Sequence, residues 1–289
     1  MKRITWLLVG VAGVLLLIGR VGAQEIAGDR LVVPFSDPTR TGWLRAGLIN
    51  GGITVKGYEG KEVIVEARVR REDDNENQNE NQDEDKDTGK KETKRMGLRR
   101  IEITSTSLSV EEEENVVTVG TGSHNRTIDL IIQVPAKTSV KLSCINDGDI
   151  KVEGVSGEIE VSNTNGAVTL TNVSGSVVAH AFNEDLIVTM TKVDPNKSMS
   201  FTSFNGDVHV TLPADVRAKV KMKSDNGDLY SDFDIRLEQR TQKYEEDARS
   251  KGGKYKIKLE KAMYGVINGD GPEFQFATYN GDIYIRKGK

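Results

Sequence analysis

The amino-acid sequence predicts an all-β fold, a single-stranded, β-helix-like β-solenoid preceded by an N-terminal β region, and three observations support it. Glycines recur at nine-residue steps, two columns of apolar residues keep the same step, and each glycine follows a residue typical of tight turns. The glycines are Gly148, Gly157, Gly166 and Gly175, and Glu184 occupies the next place. The columns are Ile150, Ile159, Val168, Val177, Leu186 and Val152, Val161, Leu170, Ala179, Val188.

The repeating unit is predicted to be a short strand and a corner, because apolar residues two apart with polar residues between them form one buried face. Asn, Asp or Ser before Gly suits a corner, since these residues tolerate positive φ. A Ser-Gly corner alternates with an Asn corner, so coils of about 18–22 residues contain two strands and pair in parallel. Either hand of coiling is compatible with this pattern. A third interior column is predicted to contain Val155, Thr164, Val173 and Phe182.

Looser copies of the corner occur on both sides of this region. Asn205-Gly206-Asp207, Asn226-Gly227-Asp228 and Asn280-Gly281-Asp282 each precede alternating residues, and their glycines are 21 or more residues apart. These larger steps predict excursions from the coil, and residues 236–254 are predicted to be a short exposed helix or a loop. Asn50-Gly51-Gly52 begins an earlier, more diverged unit. The predicted structural turn residues are Gly148, Gly157, Gly166, Gly175, Gly206, Gly227 and Gly281.

The first 23 residues have the layout of a secretory signal peptide. Lys2 and Arg3 precede an uncharged apolar run over Trp6–Ile18, and Val21-Gly22-Ala23 supplies small residues, so cleavage is predicted between Ala23 and Gln24. The alternative is a membrane anchor, although the run is shorter than the roughly 20 apolar residues that a spanning helix needs. The predicted organisation is a signal peptide over 1–23, an N-terminal β region over 24–134 and a repeat domain over 135–289.

Residues 72–95 differ in composition from the rest of the chain. They contain acidic residues, Asn and Gln, followed by basic residues, and almost nothing apolar. Such a segment cannot bury enough surface to offset the entropy cost of ordering, which predicts a disordered insertion between strands at Val63–Val69 and Leu98–Ile103. The alternative is a cation-attracting segment.

Charge and cysteine content exclude several classes of protein. Loss of residues 1–23 removes three basic residues, which changes the net charge from −4 to −7. An acidic chain without a basic stripe is not suited to nucleic acid or to anionic membrane surfaces, and no integral membrane segment is predicted after signal cleavage. Cys144 is the single cysteine, so no intrachain disulfide can form. It alternates in step with Val140 and Leu142, which predicts a small buried residue.

No motif for catalysis, cofactor binding or metal binding was found. A nucleophile elbow, a phosphate-binding loop and a dinucleotide fingerprint are absent, and His124, His180 and His209 lack partners at metal-ligand spacing. Calcium-binding β-rolls are the alternative for the Asn-Gly-Asp corners. Glu158, Ala167, Ser176 and Asp185 do not form a carboxylate ladder, so turn chemistry is predicted instead.

Three longer stretches carry a family resemblance. They are Ile128–Pro135 with the repeats that follow it, Thr202–Pro213, and Thr278–Ile285. On these residues the chain resembles a widespread bacterial family whose members are called "putative adhesins" and whose function is unknown. The resemblance covers residues 128–287, and more weakly 45–70 and 98–119. It implies an exported β-solenoid domain without a defined catalytic site.

The function predicted from these features is binding or scaffolding in the bacterial envelope, in the periplasm or outside the cell. The partner is predicted to be a polysaccharide or an envelope protein, because flat polar faces do not suit small apolar ligands. The alternatives are a polysaccharide-active solenoid enzyme and a periplasmic sensor or accessory protein. The residues predicted to face outward are Lys151, Glu153, Glu158, Glu160, Ser162, Thr169 and Thr171.

Overall fold

The computed structural model describes residues 29–70, 106–122, 126–238, 243–247, 255–259 and 262–288. Within these ranges the chain forms 22 β-strands and no helix, and therefore no helix that could cross a membrane. Twenty strands belong to one mixed sheet and two pair with each other. The all-β, solenoid-like prediction is confirmed at this level. The predicted signal peptide with Ala23 and Gln24, the insertion 72–95 and the strand 98–103 lie outside the described residues.

The strands form two faces, each a continuous series of hydrogen-bonded neighbours. In the order of pairing, face B contains β5 (Leu108–Glu113), β6 (Val116–Thr121), β2 (Trp43–Asn50), β8 (Ser139–Asn146), β10 (Ser156–Asn163), the second part of β11 (Val168–Ala181), β13 (Met199–Ser203), β21 (Glu273–Thr278), β15 (Ala218–Ser224), β20 (Met263–Ile267) and β17 (Ile235–Glu238). Face A contains β1 (Asp29–Pro34), β4 (Glu62–Val69), β7 (Ile128–Pro135), β3 (Ile53–Tyr58), β9 (Ile150–Glu153), the first part of β11, β12 (Leu186–Val193), β14 (Val208–Leu212), β22 (Ile283–Lys287) and β16 (Leu229–Ser231).

A rung is one strand of face B followed in the chain by one strand of face A. Neighbouring rungs pair in parallel on both faces, and the antiparallel strands β1, β4 and β5 cover one end of the stack while β17 and β20 cover face B at the other. Strands from before and after residues 134–135 belong to the same sheet, because β2 pairs with β8 and β3 pairs with β9. Along the stack, rungs 1 to 8 are β6/β7, β2/β3, β8/β9, β10/β11, β11/β12, β13/β14, β21/β22 and β15/β16.

Two rungs lie out of chain order. Rung 2 comes first in the sequence, yet it pairs with rung 1 on one side and rung 3 on the other. Rung 7 comes last in the sequence, yet it lies between rungs 6 and 8. The corner at Gly281 therefore lies between the corners at Gly206 and Gly227. The first and the last rung in sequence order are therefore both internal to the stack.

The strand register follows the predicted period in the nine-residue region. Ile150 pairs with Val168, Ile159 with Val177, and Val168 with Leu186, all at steps of 18 residues. Both predicted apolar columns are buried and belong to one hydrophobic cluster that contains residues of both faces. The parallel pairing predicted from the repeat is confirmed there.

The third predicted column is correct at one kind of corner and wrong at the other. Val155 and Val173 are buried, whereas Phe182 is 39% exposed and Thr164 is half-buried. At the Asn corners the inward residue is the one before, Asn163 in rung 4 and Ala181 in rung 5. The alternation of the face B strand continues one residue into the turn, which directs the next side chain outward.

The predicted helix or loop over 236–254 is also wrong in its described part. Residues up to Glu238 belong to β17, and β18 (Lys243–Asp247) pairs antiparallel with β19 (Tyr255–Leu259). The β18–β19 pairing shares one register with β17–β20. Ile235 pairs with Ile267 and Asp247 pairs with Tyr255, so the same number of residues, twelve, separates the two paired positions on both sides of the antiparallel pairing. Alternating Tyr, Ile and Leu favours strand pairing here over a helix.

Candidate functional site

The predicted turn glycines lie at the two corners of the stack. Gly148, Gly166, Gly206, Gly227 and Gly281 lie at the Asn corner, which leads from face B to face A, and Gly157 and Gly175 lie at the opposite corner. A Cβ on Gly166 would be 2.1 Å from the carbonyl oxygen of Gly148, so no larger residue fits without a shift. Gly175 has φ 108° and the same close approach to Gly157. These glycines allow neighbouring rungs to stack at their corners.

At four of the Asn corners, a polar side chain that points inward bonds the preceding rung. Asn163 Nδ2 donates to the carbonyl oxygen of Gly148, at 2.9 Å. Ser203 Oγ, Thr278 Oγ1 and Ser224 Oγ donate in the same way to the rungs before them. Rung 5 departs from this pattern in two positions at once, because Ala181 cannot donate and Glu184 replaces the corner glycine. Most corner carbonyls are thus bonded although they lie close to the core.

Seven asparagines form a continuous ladder outside the same corner. Each side-chain amide donates from Nδ2 to Oδ1 of the next asparagine, at 2.6 to 3.3 Å. The ladder runs through rungs 8 to 2, in the order Asn226, Asn280, Asn205, Asn183, Asn165, Asn146, Asn50. The sequence shows these residues only as turn formers. Their side-chain pairing depends on a rung order that the local motifs do not specify.

Apolar side chains form a second row beside the ladder. Phe182, Phe204 and Tyr279 lie one residue before their asparagines, and their rings stack at centroid distances of 4.9 Å with an interplanar angle of 4°. The row continues through Thr164 to Ile145 and Ile49. Apart from the half-buried Thr164, these side chains are 38% to 47% exposed. We call Ile49, Ile145, Thr164, Phe182, Phe204 and Tyr279 the corner strip.

Aspartates form a ladder on the face A side of the corner. The backbone N–H groups of Asp207, Asp282 and Asp228 each donate to the aspartate Oδ1 of the neighbouring rung, beginning with Asp185, at 2.8 Å. The positions Glu158, Ala167, Ser176 and Asp185 do not form this ladder, because it consists of Asp185 and the aspartates that follow the corner glycines of the irregular rungs. The nine-residue region contributes only Asp185 to it, and the other members come from the irregular rungs. Each of the three bonds satisfies a backbone donor at the corner.

Aromatic side chains on face A contact this carboxylate ladder. His209 stacks on Tyr284 at 4.5 Å and Tyr284 stacks on Tyr230 at 5.0 Å. Tyr284 donates its hydroxyl to Asp282 Oδ2 at 3.0 Å, and this bond raises the pKa of Tyr284. The negative charge of Asp228 raises the pKa of Tyr230. His209 Nε2 lies 3.7 Å from Asp207 Oδ2. The second oxygen of each of these three carboxylates thus lies near the ring of the residue two positions further along the chain.

Among the residues that the structure describes, His180, His209 and Cys144 do not form a cluster. His180 and His209 lie half-buried on opposite faces, and His124 lies outside the described residues. Burial lowers the pKa of His180, whose Nδ1 lies 2.9 Å from Thr202 Oγ1. No group of three or more His, Cys, Asp or Glu side chains suited to a metal ion occurs among the residues that the structure describes. Cys144 is 2% exposed and reduced, and burial raises its pKa to about 12.

The two flat faces carry charged pairs across neighbouring strands. Lys141 Nζ lies 2.7 Å from Glu160 on face B, and Lys56 Nζ lies 3.4 Å from Glu153 on face A. Lys151, predicted to face outward, pairs with Asp149 at 3.3 Å. All seven residues predicted to face outward are exposed or half-buried. Such exposed pairs contribute little to stability and leave these parts of the faces charged.

A shallow groove lies at the rung 2 end of the corner strip. Its volume is about 320 Å³, which is at the low end for ligand pockets. Gly47 and Gly120 open it, because neither has a side chain, and a Cβ on Gly120 would meet no atom within 4 Å. Ile49 and Ile145 border it, together with the hydroxyl residues Thr121 and Ser143. The groove is therefore continuous with the strip.

Residues 136–263 match the family model described as Toastrack DUF4097. The matched region includes rungs 3 to 6 and rung 8, and it ends before the strands of rung 7. Among solved structures, a "putative cell adhesion protein" from Clostridium sporogenes ATCC 15579 is 12% identical, with a TM-score of 0.45 over 90% of this chain and 100% of its own. A "putative adhesin" from Bacteroides fragilis NCTC 9343 is 8% identical, with a TM-score of 0.34 over 90% and 96%. No curated protein matches the chain.

Proposed function

We propose that this protein is an exported, non-enzymatic binding or scaffolding protein of the bacterial envelope, adhesin-like in its role. The observation that carries the proposal is the array of side chains repeated rung by rung on an exposed corner. Seven asparagine amides repeat at steps of about 4.8 Å, and a row of mainly apolar side chains runs parallel to them with the same step. A surface with this translational repeat suits a partner that also repeats, which favours a polymer over a small molecule.

Binding can be tested with protein purified from the periplasm or medium of an expressing bacterium. Affinity electrophoresis in gels that contain neutral or acidic polysaccharides measures retention, and a pull-down from envelope extract detects protein partners. We expect retention by a polysaccharide or recovery of one saturable envelope partner. Absence of both would contradict the proposal.

An enzyme acting on polysaccharide is the second candidate, because carboxylates on successive rungs are the groups that glycoside hydrolases pair. Asp207 and Asp282 occupy such positions, but each uses Oδ1 at the corner and faces a His or Tyr with Oδ2. We therefore expect retention without new reducing ends or unsaturated products in the same incubations. Product formation that Asp282→Asn abolishes would favour the enzyme instead.

Export can be tested separately. The basic start, the apolar run and the Val21-Gly22-Ala23 site predict a mature chain that begins at Gln24. Mass spectrometry of the envelope fraction should find this N-terminus. An intact Met1 terminus would favour the membrane-anchor alternative.

A further inference from the structure

The corner strip and the two rows beside it form a surface without formal charge over six rungs. On one side of the strip is the asparagine ladder. On the other side is a row of small or neutral residues on face B, which includes Ser143, Ser162, His180 and Thr202. Burial lowers the pKa of His180, so its ring is neutral near pH 7. The surface ends at rung 8, where Lys223 and Asp225 form an ion pair at 2.8 Å.

The asparagine ladder leaves hydrogen-bonding groups directed outward in a fixed orientation. A primary amide has two N–H donors and two acceptor positions, and the ladder uses one of each. The exposed amides of Asn165, Asn183 and Asn205 therefore keep one donor and one acceptor per rung for an outside partner. Because each amide is held by its neighbours, little side-chain entropy is lost when a partner binds.

The apolar row presents ring edges and aliphatic groups. Phe204 lies between Phe182 and Tyr279, so both of its ring faces are covered and its edge is exposed. The exposed apolar area of the strip is on the order of 400 Å², the size of patches that are often functional on monomeric proteins. A stable dimer buries about 800 Å² per partner, so the strip is too small for self-association alone.

We infer that a neutral polysaccharide chain binds along the corner strip, parallel to the stack axis, with one sugar or the chain end in the groove at Gly47 and Gly120. This inference rests on the proposed binding function and names its ligand class and its site. Sugar hydroxyls would exchange hydrogen bonds with the amide row, and sugar C–H groups would pack on the apolar row. One rung advances about 4.8 Å, close to the length of one pyranose in an extended chain. An acidic polymer would meet no counter-charge on rungs 2 to 7 of this surface, and the exposed carboxylates of Asp147 and Glu184 beside the asparagine ladder would repel it.

The experiment compares a strip variant with a matched variant on the other face. Phe204→Ala with Tyr279→Ala removes one stacked aromatic pair from the strip. His209→Ala with Tyr284→Ala removes a stacked pair of the same kind from face A. The probes are hydroxyethylcellulose, glucomannan and dextran as neutral polymers and alginate as an acidic one, in affinity electrophoresis. We expect the strip variant to lose at least tenfold in affinity for a neutral probe, and the face A variant to stay within about twofold.

Gly120→Leu provides a test that does not depend on removing a packed ring. The open space around Gly120 accommodates a side chain, so the variant should fold with an unchanged melting temperature and fill the groove. It should weaken binding of the same neutral probe several-fold. Unchanged binding in both the strip and groove variants would overturn the inference but leave the proposed function intact. Retention by alginate alone, or no retention by any probe, would overturn it as well. The envelope pull-down then decides whether the proposed function also fails.

Discussion

Leu170 lies at the centre of face A and tests the register of the stack directly. Its side chain is fully buried, and it pairs with Val152 in rung 3 and Val188 in rung 5. Leu170→Ala deletes three carbons, which corresponds to about 2.4 kcal/mol of lost transfer free energy. The cavity left between packed rungs adds to this, so we expect a loss of about 2–5 kcal/mol. Leu170→Asp should cost more, because it buries a carboxylate without a partner.

Thr169 is the matched control, one residue away on the other side of the strand. It is half-buried on the outer surface and pairs with Lys151 and Ile187. Thr169→Asp should change the free energy of unfolding by less than about 1 kcal/mol, since surface substitutions usually do. Denaturant titration of the three variants measures the contrast. If Thr169→Asp proved damaging and Leu170→Asp silent, the register would be off by one residue, and the inward columns would have to be reassigned.

Three further predictions follow from other sites. Cys144 should resist iodoacetamide at pH 8 until the protein is unfolded, because burial and the raised pKa keep the thiol protonated, and mass spectrometry would detect any alkylation. The free energy of unfolding should fall as the pH rises from 9 towards 12, because the thiol ionises in the unfolded state before it does so in the folded state; denaturant titration at each pH would measure this fall. Saturating calcium should leave the melting temperature unchanged, because the stacked aspartates are already engaged at the corner, and a rise of about ten degrees would instead indicate binding to the folded state. Replacing residues 72–95 by a short Gly-Ser link should shift the melting temperature by only a few degrees, and a large loss would show that they pack on the sheet.

The nine-residue region could be predicted from the sequence because its information is local. Each strand there repeats the same apolar alternation, and its partner lies a fixed 18 residues away, as Ile159 and Val177 do. The corner was less predictable. Phe182 follows the same spacing as Val173, yet it is exposed, because the Asn corner turns one residue later than the Ser-Gly corner.

The order of the outer rungs could not be predicted from local pattern. The corners at Gly206, Gly227 and Gly281 have the same Asn-Gly-Asp motif, so any of the three could stack on any other. The spatial order depends on the chain between them. The pairing of β17 with β20 brings the last strands back beside rung 6. The asparagine ladder and corner strip depend on this order, and for that reason neither is visible in the sequence alone.

The inserted rungs change how the protein responds to a pulling force. In a stack that follows chain order, the terminal rung has one neighbour, and tension on the chain end can peel it away strand by strand. Here tension applied at Lys287 acts on β22, which pairs with β14 along Ile283–Lys287 and with β16 along Ile283–Ile285. The adjoining β21 is likewise held between β13 and β15. Pulling β22 out of the sheet therefore requires two parallel strand interfaces to shear together.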